Sequence, residues 1–406
     1  MAPTRLPILT GTKIKPVPVL MTVRELHYGG IQKDVTKIAT RIDRSRFEPH
    51  VAAYEVEGVR VEELRRAGVP VVHIPLPSLS PSAALPAAIQ VGRYIRKHRI
   101  SVVHAYDTSA VLMVPVARAL RVPAVLTSAL GRRELLDSRS HALVRWTDRM
   151  VDTVVVNCEA MRRHLIEDEH VPGDRIDLCY NGVLTSEFFP ADTPRARILP
   201  EASLVIGSVC VLRPEKALTV LQEAFSRIRH LDPSMKLVFV GSGDELAKLQ
   251  QNAIRLAIAD ANVFVPATQR VADWMRTMDI FVLPSSSEAF SNALLEAMAC
   301  GCCVVGSRVG GTPELIGVNE ERGFLFKSGD PNDLASKLSR VIEDVNLRRS
   351  LAKAAACFAH DNLSIENAAA RTALIYDKVL RRKTRPGRLD SRIEDLGALT
   401  KESRFQ

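Results

Sequence analysis

The 406-residue sequence predicts an α/β protein built from two doubly wound, Rossmann-like domains facing a central cleft. Three observations predict it. The length exceeds what one hydrophobic core usually serves. Short runs rich in β-branched residues alternate with longer amphipathic stretches, the pattern of parallel strands joined by helices. The alternation breaks once, at 181 to 203, where NGVLTSEFFPADTPRARILPEAS carries three prolines and few periodic apolar positions, as a connector does.

Taken in order, the first half offers strands at 17 to 23 (VPVLMTV), 50 to 56 (HVAAYEV), 71 to 74, 101 to 106 (SVVHAY), 124 to 129 (AVLTSA) and 152 to 157 (DTVVVN). Helical periodicity covers 32 to 43, 82 to 98 and 108 to 119. After the connector, strands are expected at 204 to 212, 236 to 242, 262 to 266, 279 to 285, 303 to 307 and 323 to 326. Helices should cover 217 to 230, 244 to 258, 270 to 277, 291 to 299 and 331 to 343. The expected division is a first domain over 1 to 185 and a second over 190 to 362, with a helix at 364 to 381 crossing back to the first and a basic, disordered tail at 382 to 406.

Composition narrows the function. Hydrophobic residues at 46% and charged residues at 25% are ordinary for packed domains. No uncharged apolar run reaches membrane-spanning length, and Arg5, Lys13 and Lys15 interrupt the start, so a cytoplasmic chain is expected. The seven cysteines read as reduced core thiols; Cys300 and Cys303 lack the second pair that a zinc site needs. A net charge of +9 favours an anionic partner: a nucleoside diphosphate, an anionic membrane surface or nucleic acid. No base-reading signature supports nucleic acid. No G-x-G-x-x-G follows a strand, which excludes a dinucleotide site, and no D-x-D stands at a strand end to hold a metal. The acidic run Glu167, Asp168, Glu169 reads as a solvated helix face.

The most informative stretch is DIFVLPSSSEAFSNALLEAMACGCCVVGSRVGGTPELI, 279 to 316. Ser291 can cap a helix whose first amides are then free to meet an anion. Glu288 precedes that helix and Glu296 lies within it. Carboxylates accept hydrogen bonds, so the acids suit sugar and ribose hydroxyls while the helix start suits phosphate.

Glu288 and Glu296, with seven residues between them, together with SEAFSNALLEAMACG and GSRVGGTPELI, resemble the E-x7-E region of the retaining glycosyltransferases of family 4, which have the GT-B architecture. The resemblance extends over about 20 to 380. LHYGGIQKDV resembles the family's N-terminal glycine loop, at Gly29 and Gly30; NGVLTSEFFP its connector; KLVFVGSGDELAKL its strand and small-residue turn, at Gly241 and Gly243; and SVCVLRPEKALTVLQEAF its diphosphate clamp.

The resemblance implies that Glu288 faces the donor sugar, Glu296 the ribose, and the backbone of Phe290, Ser291, Asn292 and Ala293 the diphosphate. Lys216 fits the clamp lysine. The usual arginine position holds Val211, and Arg213 is the nearest substitute. Val265 borders the donor base. Many members carry a histidine after the strand matching AVLTSA; here Thr127, Ser128, Ala129 and Leu130 stand there, followed by Arg132 and Arg133. His104 and Arg132 are the acceptor-side candidates. The implied reaction moves a sugar from a nucleotide diphosphate sugar to a hydroxyl of a glycan or lipid-linked acceptor, without a metal or other cofactor, in cell-surface polysaccharide or glycolipid synthesis. The basic stretches RYIRKHR (93 to 99), Arg132/Arg133 and Arg162/Arg163 read either as a surface for the inner, anionic face of a membrane or as solvated helix faces. The competing readings are a silent nucleotide-sugar-binding partner subunit and a GT-B epimerase or phosphorylase.

Overall fold

In the computed structural model, which describes residues 15–27, 29–78, 80–131, 137–190 and 198–384, the first apolar run becomes β1 (Val17–Glu25), with Val19, Leu20, Met21 and Val23 fully buried. A strand apolar on both faces needs a helix layer on each side. It is followed by α1 (Gly30–Arg41), β2 (Phe47–Glu55), α2 (Val59–Arg66), β3 (Val71–His73), α3 (Pro81–His98), β4 (Val102–Ala105) and α4 (Ala110–Ala119). Then come β5 (Ala124–Ala129), α5 (Ser138–Asp148), β6 (Thr153–Val156), α6 (Glu159–Glu167) and β7 (Ile176–Leu178). All strand pairings are parallel, in the order β3-β2-β1-β4-β5-β6-β7. The order reverses between β1 and β4, where the strand ends leave a crevice.

The second domain repeats the plan. It contains β8 (Val205–Val209), α7 (Leu218–Ile228), β9 (Lys236–Val240), α8 (Leu246–Arg255), β10 (Asn262–Val265), α9 (Val271–Thr277) and β11 (Ile280–Leu283). These are followed by α10 (Asn292–Ala299), β12 (Cys303–Ser307), α11 (Thr312–Ile316), β13 (Phe324–Phe326), α12 (Pro331–Glu343) and α13 (Val345–Asn362). The sheet order is β10-β9-β8-β11-β12-β13, again parallel, with its reversal between β8 and β11.

The last helix, α14 (Ile365–Thr384), returns to the first domain, where Ile365, Ala368, Ala373 and Tyr376 share a core with β1, α1 and α2. The two chain crossings between domains meet side by side: Val183 donates its N–H to Leu363 O, and Ile365 N–H to Val183 O, both at 2.8 Å. Gly182 permits this approach, since a Cβ there would lie 2.5 Å from the Ile365 Cα.

Two expectations need correction. The strand foreseen at 204 to 212 stops at Val209, because Cys210 to Arg213 leave the sheet to form the loop beside Gly241 and Gly243. Glu169 does not sit on a solvated face. It is 7% exposed and paired with Arg145 Nε at 2.8 Å and His141 Nε2 at 2.5 Å, because β7 folds the 167 to 171 turn back against α5. Cys300, Cys302 and Cys303 are fully buried, as their apolar setting suggests. The tail beyond 384 lies outside the described residues.

Candidate active site

Strand ends at the switch point of the second sheet deliver the donor-side candidates to one place. Glu288 follows β11, and Lys216 follows β8, its immediate neighbour. Lys216 Nζ donates to Glu288 Oε2 at 2.7 Å, and Ser285 Oγ donates to the same oxygen at 3.2 Å. Burial works against the Lys216 charge, but the Glu288 carboxylate beside it raises its pKa above the ordinary lysine value. Arg213 is exposed, one turn before Lys216, and Val211 at the usual arginine position is 39% exposed.

The loop that carries Lys216 is pressed onto the turn after β9. A Cβ at Gly241 would lie 1.8 Å from Cys210 O, and one at Gly243 2.3 Å from Leu212 O, so only glycine fits either position. Gly241 N–H also donates to Val265 O at 2.8 Å, which ties the end of β10 to the same turn.

Ser291 caps α10 through its Oγ, which accepts from Leu294 N–H at 3.3 Å. The amides of Asn292 and Ala293 lie in the first turn, where a helix has no internal acceptor for them. Phe290 is buried and its ring meets the Tyr180 ring at 5.5 Å. Opposite stands the glycine loop: Gly29 precedes α1 in an extended conformation, and a Cβ at Gly30 would lie 3.6 Å from Asn292 Nδ2. The structure therefore brings Gly30 against the start of α10, across the cleft, while Gly29 is packed by Gln32 of its own helix.

Glu296 is 4% exposed and reaches the first domain. Its Oε1 accepts from Lys33 Nζ at 2.5 Å and from Lys37 Nζ at 3.4 Å. Burial pushes its pKa up, and the two lysines more than offset this, leaving it below the usual carboxylate value. Lys37, buried, is pushed down despite Glu296. Next to them Asn292 Nδ2 donates to both oxygens of Asp34 at 3.0 Å, and Asn181 Nδ2 donates to Asn292 Oδ1 at 3.1 Å. Burial raises Asp34 to about 6 against the pull of Lys37 and the Asn292 bond. Sequence reading missed Lys33, Asp34 and Lys37, which lie on the glycine-loop helix but gain their meaning from partners some 260 positions away.

The acceptor-side candidates fare differently. His104 is 1% exposed, with Nδ1 at 2.9 Å from Tyr376 Oη and Nε2 at 2.8 Å from Ser128 Oγ. Burial lowers its pKa to about 3, so it is neutral. It lines a small cavity with Asp34, Tyr106, Ser128, Asn181 and Gly182. Arg132 lies outside the described residues. Among the described residues no cluster of three or more His, Cys, Asp or Glu side chains is placed to hold a metal ion, and no helix is long and apolar enough to cross a membrane.

Residues 29–182 match the family model described as Glycosyl transferase 4-like domain, and residues 192–357 match that of Glycosyl transferases group 1. The D-inositol 3-phosphate glycosyltransferase of Streptomyces bingchenggensis is 29% identical over 298 residues, covering 70% of this chain and 62% of that protein. The N-acetyl-alpha-D-glucosaminyl L-malate synthase of Bacillus anthracis is 28% identical over 251 residues, covering 60% of this chain and 64% of that protein. The aligned region thus spans under two thirds of either relative. Among solved structures, Anabaena HepE in complex with UDP-glucose superposes with a TM-score of 0.79 at 20% identity, over 89% of this chain and 99% of that one. In fold, domain order and matched family models, the chain takes its place with the GT-B glycosyltransferases of the GT4 type.

Proposed function

We propose that the protein is a retaining glycosyltransferase that takes a sugar from a nucleotide diphosphate donor and passes it to a hydroxyl of a glycan or lipid-linked acceptor. The observation that carries this reading is the Lys216–Glu288 pair at the switch point of the second sheet, in the loop that leads to Asn292 and its contact with Gly30 of the first domain. In the proposed reaction the bond from the anomeric carbon to the β-phosphate oxygen breaks and the bond to the acceptor oxygen forms on the same face. The acceptor proton passes to the departing phosphate. Charge therefore develops on the diphosphate, where Lys216, Arg213 and the first amides of α10 stand to stabilise it. Glu288 is assigned the donor sugar's hydroxyls. Glu296 is assigned the ribose: both lysines hold its Oε1, which leaves Oε2 for a hydroxyl.

A lipid-linked acceptor fits the outer face of the first domain. Leu85 and Ile89 are 64% and 46% exposed, one turn apart on α3. Arg93 borders them, Arg96, Lys97 and Arg99 are exposed further along and just after the same helix, and Arg121, Arg139 and Arg149 are exposed elsewhere in 81–150, where Asp137 is the one exposed acid among the described residues. Exposed apolar side chains on a face rich in cations and poor in acids suit the inner, anionic face of a membrane.

The competing reading, a silent partner subunit that binds nucleotide sugar, is favoured by Val211 and by the Thr127 to Leu130 segment that lacks histidine. Incubation with a panel of nucleotide sugars decides between them. Donor turnover that vanishes in Glu288→Ala supports the enzyme. Binding without turnover across the panel favours the silent partner.

A further inference from the structure

The second domain reaches into the first at the start of a helix. Glu314, on α11, accepts from Glu159 N–H through Oε2 at 2.9 Å and from Ala160 N–H through Oε1 at 2.9 Å. Glu159 and Ala160 are the first two residues of α6 in the first domain. The leading amides of a helix have no partner within it, and its positive end favours a carboxylate. The next amide, Met161 N–H, is already taken by Cys158 Sγ at 3.4 Å. A helix of one domain is thus capped by an acid 155 residues away in the other. Tyr180 of the first domain adds a third bond, donating its hydroxyl to Glu314 Oε2 at 2.9 Å.

This cap is coupled to the Glu288 loop. Ala289 O accepts from Gly311 N–H at 2.6 Å and from Cys158 Sγ at 3.5 Å, so one carbonyl beside Glu288 is held from both domains. Gly310 lies so close that a Cβ there would be 1.8 Å from Glu288 O. The Tyr180 ring that bonds Glu314 also packs on Phe290. Behind α11, Arg322 Nε donates to Leu315 O at 2.8 Å and fixes the short helix in place.

We infer that Glu314 is a positioning residue: by capping α6 across the interface it holds the two domains closed and seats the Glu288 loop against the first domain. It touches no reacting group. The geometric half of this inference is independent of the proposed reaction; the kinetic half rests on it.

The test uses the full chain with spin labels at Arg96→Cys and Gln251→Cys, one exposed position in each domain, in a Cys357→Ser background. Glu314→Ala should lengthen and broaden the label distance, Glu314→Gln should do so less, and Tyr180→Phe least. Glu343→Ala, an exposed acid on α12, should leave it unchanged. Circular dichroism checks that each variant is folded, and Glu314→Gln stands in if Glu314→Ala does not fold. For UDP-glucose, or for whichever panel donor the parent turns over, kcat per folded molecule should fall by roughly tenfold or more in Glu314→Ala, since a small misplacement at a catalytic group costs that much, with partial rescue in Glu314→Gln. A folded Glu314→Ala whose distance distribution superimposes on the parent's overturns the inference. Absence of turnover with every donor overturns the proposed reaction and leaves the distance result to be read alone.

Discussion

Lys33 Nζ and Glu296 Oε1 stand 2.5 Å apart across the cleft, and Lys37 completes the pair into a triad at 3.4 Å. The second acid of the E-x7-E spacing is therefore part of the domain interface as well as of the candidate donor site. Glu296→Gln should leave two lysines, one of them buried, without their counter-charge. The expected loss is about 3 kcal/mol of stability, read as a lower urea midpoint at constant m-value. Lys33→Met, at a position 18% exposed, should cost about 1 kcal/mol or less.

The Lys216–Glu288 pair makes a kinetic prediction. Glu288→Ala should reduce donor turnover by on the order of 10²- to 10³-fold, the range seen when one group aligned with a transition state is removed. Lys216→Ala should reduce kcat comparably. Arg213→Ala should act more weakly, because the Arg213 side chain is exposed. Steady-state kinetics on the three variants checks the ranking, and equal losses for all three would refute it.

Two buried groups titrate in opposite senses. His104, lowered to about 3, refuses a proton that the unfolded chain accepts below about 6.5, so its share of stability is lost as pH falls through that window, by up to about 1.4 kcal/mol per pH unit. Asp34, raised to about 6, binds its proton first in the folded state, so its contribution grows as pH falls from about 6 towards the usual carboxylate value. Between pH 6 and 4 the two oppose. His104→Gln should flatten the acid limb of a stability profile measured by urea unfolding, and Asp34→Asn should steepen it.

The outer face of α3 predicts a lipid-dependent partition. Leu85→Glu with Ile89→Glu should weaken co-sedimentation with phosphatidylglycerol vesicles by about tenfold or more, with little change in melting temperature because both side chains are exposed. Raising the salt should weaken the parent's binding. Binding unchanged by the double substitution would remove the lipid surface from the proposed function.

Much of the fold was legible because its strands are buried on both faces and so read as uninterrupted apolar runs: 17 to 23, 236 to 242 and 279 to 285 became β1, β9 and β11 with small changes at the ends. β7 escaped notice because it is three residues long and carries Asp177. α2, α5 and α6 are short and rich in charge, which hides their periodicity. In the site, the Ser291 cap was legible from local pattern, whereas Glu288 and Lys216 were singled out through the family resemblance of the segments that carry them. Lys33, Asp34, Lys37 and Glu314 were not, since nothing near them in sequence distinguishes a charged residue facing water from one facing another domain.

The paired crossings at Val183 and Ile365 make the chain from 190 to 362 an insertion: it leaves the first domain and re-enters it through adjacent openings, and the first domain's core closes around α14 as though nothing intervened. Domain insertions are tolerated where their ends lie close together. The inserted half should therefore be replaceable as a single unit only when the residues that meet the first domain, Glu296 and Glu314, are carried with it.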